Sequence, residues 1–294
     1  MKRRLLDRIH DRAWREIGER LKCHEGVPTV GAIDGTSSSI SASMPWASIC
    51  SAFADGRRES HNFRRNVAVR DVVETVGPVE GRFYARRIHE WGSEWLGDPA
   101  VARIDTWGDP IRWPGLLLGT PGAFSPTTLR YLATALWLKN SDYLTHGLDV
   151  IEIGVGFGGL AAMNALVSGT ITTLADLPQV EHAAMRMLAE NDLSRHARLS
   201  DGHGTDPAHL VVSNYAFTEL SRDVQNDYFE KHIRRASHCV IISNAAVFSG
   251  SIGGRTDDDL MAWFRSEGIP ARLETTNRLL GPGDHLSGVR MIHW

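Results

Sequence analysis

The sequence predicts an α/β fold: a mostly parallel sheet ending in an antiparallel hairpin, preceded by a mainly helical N-terminal region. Three observations carry this. The run Asp149-Val-Ile-Glu-Ile-Gly-Val-Gly-Phe-Gly-Gly159 joins a short apolar strand to a glycine loop, and the helix formers Leu160 to Val167 follow it. Strand and helix patterns then alternate, as a parallel sheet with helical crossovers requires. Finally, the chain closes on two strand-like runs with no helix between them, which implies a hairpin.

In the N-terminal region, residues 1 to 22 place Leu5, Ile9, Ala13, Ile17 and Leu21 at i, i+4 spacing among charges, an amphipathic helix whose stripe packs on its own domain or on a second subunit as a homodimer. The segment from Gly31 to Ser48 is rich in Ser, Gly and Ala and reads as a long loop or lid. From Phe53 to Arg87 basic residues come in patches, Arg57, Arg58, Arg64 and Arg65 among them, expected on solvated helix faces rather than in an anion-binding patch. Trp91, Trp95, Trp107 and Trp113 crowd a stretch dense in Gly and Pro; such rings either pack a core or form a wall on which a sugar stacks. The break Gly119-Thr-Pro-Gly-Ala-Phe-Ser-Pro126 divides the chain into residues 1–120, for acceptor recognition or dimerisation, and residues 121–294, the cofactor-binding domain.

Beyond the break, a helix is expected over Thr127 to Lys139, with Leu129, Leu132, Leu136 and Trp137 on one face. The strands expected are Asp149 to Ile153, Ile171 to Ala175, Ala197 to Ser200, Leu210 to Ser213, Cys239 to Ser243, Ala271 to Thr275 and Val289 to Trp294. Helices are expected over Pro178 to Asn191 and Asp223 to Ala236. Another runs from a capping box at Thr256-Asp-Asp-Asp259 to Glu267.

Composition narrows the function classes. With 294 residues, 42% of them hydrophobic, the chain can bury a large core, and a net charge of −3 offers no general attraction to nucleic acid or to membranes. Cys23, Cys50 and Cys239 are too few and too scattered for a disulfide framework or a zinc cluster, which suits a reducing cytoplasm. No signal peptide or membrane-spanning run is expected.

The spacing Gly154-x-Gly156-x-x-Gly159 equally fits the fingerprint of dinucleotide enzymes, so an NAD(P)-dependent oxidoreductase is a competing reading. Glu152 separates the two. A carboxylate in an apolar strand is costly unless paired, and at the cofactor edge it suits a cationic ligand end such as a sulfonium amino acid, whereas it would repel a pyrophosphate. Asp176, at the end of the second strand, is placed to accept ribose hydroxyls or to cap the helix beginning at Pro178.

Three segments carry a family resemblance: Val150-Ile-Glu-Ile-Gly-Val-Gly-Phe-Gly-Gly159, Asp176-Leu-Pro-Gln179 and Val211-Val-Ser-Asn-Tyr-Ala-Phe-Thr-Glu-Leu220. From about Phe124 onward the chain resembles the sugar O-methyltransferases, a branch of the class I (Rossmann-like) S-adenosyl-L-methionine-dependent enzymes. The resemblance implies methylation of a sugar hydroxyl, on a nucleotide-linked sugar or a finished glycoside of a natural product. It implies that Glu152, Gly154, Gly156 and Gly158 hold the methionine part of the cofactor. Asp176, with Leu177 beside it, then takes the ribose, and Asp201, or its competitor Asp206, takes the adenine amino group. Asn214 and Tyr215 fall at a strand's C-terminal end, where open sheets bind ligands.

A sugar hydroxyl is a poor acid, so transfer needs positioning together with a base or a metal ion. Glu219 and His285 are the candidate bases; the carboxylate competes with a structural role, the histidine with a solvated one, and His182 and His203 are weaker rivals. Asp201, Asp206, Asn214 and Glu219 bear oxygens that Mg2+ accepts, but no spacing among them indicates a metal site. A non-catalytic cofactor-binding partner protein is a further alternative with the same fold.

Overall fold

The computed structural model describes Glu16, Ser39 and residues 45–200, 207–274 and 289–294. The expected helix over residues 1 to 22, and with it the dimerisation stripe, falls outside the described residues except for Glu16, as do Asp201, His203, Asp206 and His285.

The described chain opens with helix α1, Trp46–Ala54, so the end of the expected loop is helical. Trp46, Ile49, Cys50 and Phe53 recur at helical spacing and are all buried. Helices α2 (Val67–Arg70), α3 (Pro78–Gly92), α4 (Pro99–Thr106) and α5 (Gly115–Leu118) complete the helical region. Helix α6, Pro126–Asn140, begins at a Ser125 cap whose hydroxyl accepts from the Thr128 N–H. Every residue of α6 from Pro126 to Leu138 is buried, not the single face expected. The reason is tertiary: α3 packs on one side of α6 and the helix after the glycine loop on another. One apolar core therefore runs from Trp46 to Met291, across the break at residue 120.

Seven strands form one sheet: β1 (Asp149–Ile153), β2 (Ile171–Ala175), β3 (Ala197–Leu199), β4 (Leu210–Asn214), β5 (His238–Ser243), β6 (Arg272–Glu274) and β7 (Arg290–His293). Their order is β3-β2-β1-β4-β5-β7-β6. The first five pair in parallel, while β7 runs antiparallel to both β5 and β6, which confirms the closing hairpin. This is the class I methyltransferase arrangement. Helices α7 (Gly159–Ser168), α8 (Pro178–Glu190), α9 (Arg222–Tyr228), α10 (Ala245–Ile252) and α11 (Asp257–Ser266) connect the strands. Thr256 and Asp259 form the expected capping box of α11. Among the described residues no helix is long and apolar enough to cross a membrane.

The order reverses between β1 and β4, whose register pairs Glu152 with Val212 and Ile153 with Ser213. Crossovers on opposite sides of this point leave a crevice above the strands' carboxyl ends, where open α/β sheets bind ligands.

The helical region reaches the glycine loop through a buried arginine. Arg64, wholly buried, pairs with Glu74 and donates to Ser125 Oγ at 3.0 Å and Thr128 Oγ1 at 3.1 Å. Its guanidinium lies 4.5 Å from the ring centre of Phe157 in the glycine loop. The expectation of a solvated Arg64 is thus corrected: its charge is placed beneath the loop.

Candidate functional site

The glycine loop owes its shape to packing as much as to any ligand. Gly154 and Gly158 have φ of +78° and +89°, a region costly for L side chains. A Cβ at Gly154 would lie 1.9 Å from the Ala216 Cβ, and one at Gly159 would lie 2.5 Å from the Tyr131 ring. Gly158 faces Ala184 and Met187 of α8. Gly154 and Gly156 line the crevice, whereas Gly158 turns into the core, away from the place the sequence expectation gave it.

Two N–H groups of the loop are engaged by Asp176. Oδ2 of Asp176 accepts from the Val155 N–H at 2.8 Å and its Oδ1 accepts from Leu177 at 2.7 Å, with the Gly156 N–H also bonded to this carboxylate. Leu177 itself is the N-cap position of α8, so Asp176 ties the loop rather than capping that helix. Burial pushes the Asp176 carboxyl up to about 6 against these bonds. The Glu152 carboxylate accepts from the Ala161 N–H in the first turn of α7. Burial, then the nearby Asp176 charge, raises Glu152 well above the usual carboxylate range. A pyrophosphate at this loop would compete with two protein carboxylates for the N–H groups of Val155, Gly156 and Ala161.

The crevice opens into a cavity of about 530 Å3 in which Glu152, Asp176, Asn214, Tyr215 and Glu219 meet. It also receives Arg130 of α6, for which the sequence offered no signal, since an arginine amid Leu129 and Leu132 reads as a solvated helix position. Arg130 is 6% exposed and lies over the rings of Tyr131 and Tyr215, 5.1 and 5.4 Å from their centres. It donates to the Val73 carbonyl at 3.3 Å. Three buried groups around this cavity leave polar atoms without a protein partner: Oε2 of Glu152, Nε of Arg130, and both amide atoms of Asn214. Tyr215 holds a φ of +78°, an unusual conformation for a tyrosine, pinned by its N–H donating to the Ile242 carbonyl at 2.9 Å.

Glu219 is placed by a second chain of bonds. Nδ2 of Asn244, just past β5, donates to its Oε1 at 2.6 Å, and the Asn244 Oδ1 lies 2.7 Å from the Thr218 hydroxyl. Burial raises the Glu219 carboxyl, while the Asn244 bond and the Arg130 charge lower it. His182 bonds the Pro178 carbonyl on the outside of α8 and is not at the cavity. Nor do Trp91, Trp95, Trp107 and Trp113 line it; Trp107 stacks on Phe157 with centres 6.0 Å apart, and the tryptophan at the cavity is Trp46. Among the described residues no group of three His, Cys, Asp or Glu side chains could hold a metal ion.

No protein-family model and no curated protein matches this chain. Solved structures similar to it include the mitomycin 7-O-methyltransferase, with 18% identity and a TM-score of 0.44 over 58% of this chain and 54% of that one. Others are a geranyl diphosphate C-methyltransferase from Streptomyces coelicolor A3(2), with 13% identity and a TM-score of 0.41 over 55% and 77% of the two chains. The magnesium protoporphyrin IX methyltransferase from Synechocystis PCC 6803 has 12% identity and a TM-score of 0.44 over 56% and 77%. The chain spans about half the length of the mitomycin enzyme.

Proposed function

We propose that this protein is an S-adenosyl-L-methionine-dependent O-methyltransferase acting on a sugar hydroxyl of a small molecule. The observation that carries the cofactor is the convergence of unpartnered buried atoms of complementary character: the carboxylate oxygen of Glu152, the guanidinium Nε of Arg130 and the amide of Asn214. Buried polar atoms without partners are costly, and a zwitterionic amino-acid end satisfies this set. Arg130 would take its carboxylate; Glu152 and Asn214 would take its ammonium group. Asp176 would accept the ribose hydroxyls with lone pairs that its backbone bonds leave over, and Leu177 would border the adenine.

When bound, the cofactor supplies a methyl group already activated on a sulfonium. The chain's residues then position the acceptor and remove its proton. Glu219 is the base in this reading, since it lines the same cavity and is oriented by Asn244.

Calorimetry with S-adenosylhomocysteine, NAD(H) and NADP(H) tests the cofactor. Binding of the first alone supports the reading, and binding of a nicotinamide nucleotide alone replaces it with an oxidoreductase. Methyl transfer to a panel of glycosides then separates an enzyme from a non-catalytic partner protein.

A further inference from the structure

The cavity is larger than the amino-acid end of a cofactor, and its remaining walls have a definite chemistry. Val72, Val76, Val247 and Phe248 line it together with Trp46 and Tyr84. Val247 stands on α10 immediately beyond Asn244 and is 61% exposed, one of few large apolar side chains so exposed, so the apolar wall continues outward to the surface. Among the described residues the charged groups lining the cavity are the carboxylates of Asp71, Glu80, Glu152, Asp176 and Glu219, against the single guanidinium of Arg130.

A nucleotide-linked sugar carries a pyrophosphate, which requires guanidinium, ammonium or free backbone N–H donors. Here the N–H groups of Val155, Gly156 and Ala161 are bonded to Asp176 and Glu152, and Arg130, the one cation lining the cavity among the described residues, lies over two tyrosine rings. The carboxyl groups around the same space bring no positive charge to a second anion. An apolar, uncharged group meets no such obstacle and gains from leaving water.

We infer that the acceptor is an uncharged glycoside on an apolar aglycone, the aglycone lying along Val72, Val76, Val247 and Phe248, and that sugar nucleotides are excluded. This rests on the methyltransferase reading above, with Arg130 engaged by the cofactor. The sugar hydroxyl then faces Glu219 while the aglycone leads out past α10.

The test is calorimetry on the full chain saturated with S-adenosylhomocysteine, titrated with 4-nitrophenyl glycosides and with uridine and thymidine diphosphate sugars. The glycosides should bind at least tenfold more tightly. Val247→Asp, at an exposed position that folding tolerates, should weaken glycoside binding at least tenfold and leave S-adenosylhomocysteine binding unchanged, while Arg130→Gln should weaken S-adenosylhomocysteine binding. Equal or tighter binding of a nucleotide sugar overturns the inference, as does glycoside binding indifferent to Val247→Asp, and both leave the methyltransferase reading standing. Failure of S-adenosylhomocysteine itself to bind removes that reading and the inference with it.

Discussion

The side-chain amide of Asn244 is fixed at both ends, its nitrogen donating to Glu219 at 2.6 Å and its oxygen 2.7 Å from the Thr218 hydroxyl. Turned over, the amide would set its oxygen against a Glu219 oxygen, acceptor to acceptor. One oxygen of Glu219 is thereby held in a fixed direction at the cavity edge.

If Glu219 removes the acceptor proton, Glu219→Gln lowers kcat by roughly 10²- to 10⁴-fold. The substitution keeps the shape and an oxygen for the Asn244 bond, so binding of S-adenosylhomocysteine stays within twofold. Steady-state kinetics beside calorimetry checks this, and a kcat close to that of the parent would return the role to His285.

Asn244→Leu removes the bond that opposes burial at Glu219, whose carboxyl is then driven further up. The acidic limb of the kcat profile should move upward. A limb that stays in place would separate Glu219 from the titration.

Asp176 gives a pH dependence whose two signs differ. Its folded value of about 6 lies above the ordinary 3.8, so folding favours the protonated form. The stability it contributes to the unliganded protein is fully present below about pH 4 and is lost as pH rises through 6. Ribose hydroxyls donate to the ionised form, so S-adenosylhomocysteine binding strengthens across that window. Asp176→Ala should flatten the dependence and weaken binding by one or two hydrogen bonds of roughly 1.5–3 kcal/mol each. Calorimetry from pH 5 to 7.5 measures both effects.

Gly154→Ala sets a methyl group against Ala216 in a left-handed backbone conformation. Conformational cost of about 1–2 kcal/mol adds to overpacking of about 1–3 kcal/mol. Denaturant midpoints report the sum, and adding Ala216→Gly should recover the overpacking part alone.

Arg64→Met leaves Glu74, with 7% side-chain exposure, as a buried charge lacking its ion pair. The cost is about 3–5 kcal/mol, and Arg64→Met with Glu74→Gln together should cost much less than the two single changes summed.

The strands and the glycine loop were legible because doubly covered parallel strands are unbroken apolar runs, and because left-handed turns call for glycine. The Thr256 capping box was equally plain. Arg130 and Asn244 were not. Arg130 belongs to a helix whose burial on all sides comes from α3 and α7, elements distant in sequence, and no local periodicity records it. Asn244 follows a strand with no motif around it, and its meaning depends on Glu219, 25 residues earlier. The tryptophans were misleading in the opposite way, since aromatic residues in Gly- and Pro-rich backbone suit a binding wall or a core equally, and only packing tells them apart.

Phe157 lies at the tip of the glycine loop, stacked on Trp107 and covered by Arg64, so the loop that faces the cofactor is floored by the helical region. That floor limits how such a protein can diversify. If the acceptor lies as inferred above, a new acceptor preference can arise by exchanging Val72, Val76 or Val247 one at a time. Grafting a foreign helical half would instead strip Phe157 of its seat, so recombination at the break near residue 120 would disturb the glycine loop of the sheet-bearing half as well.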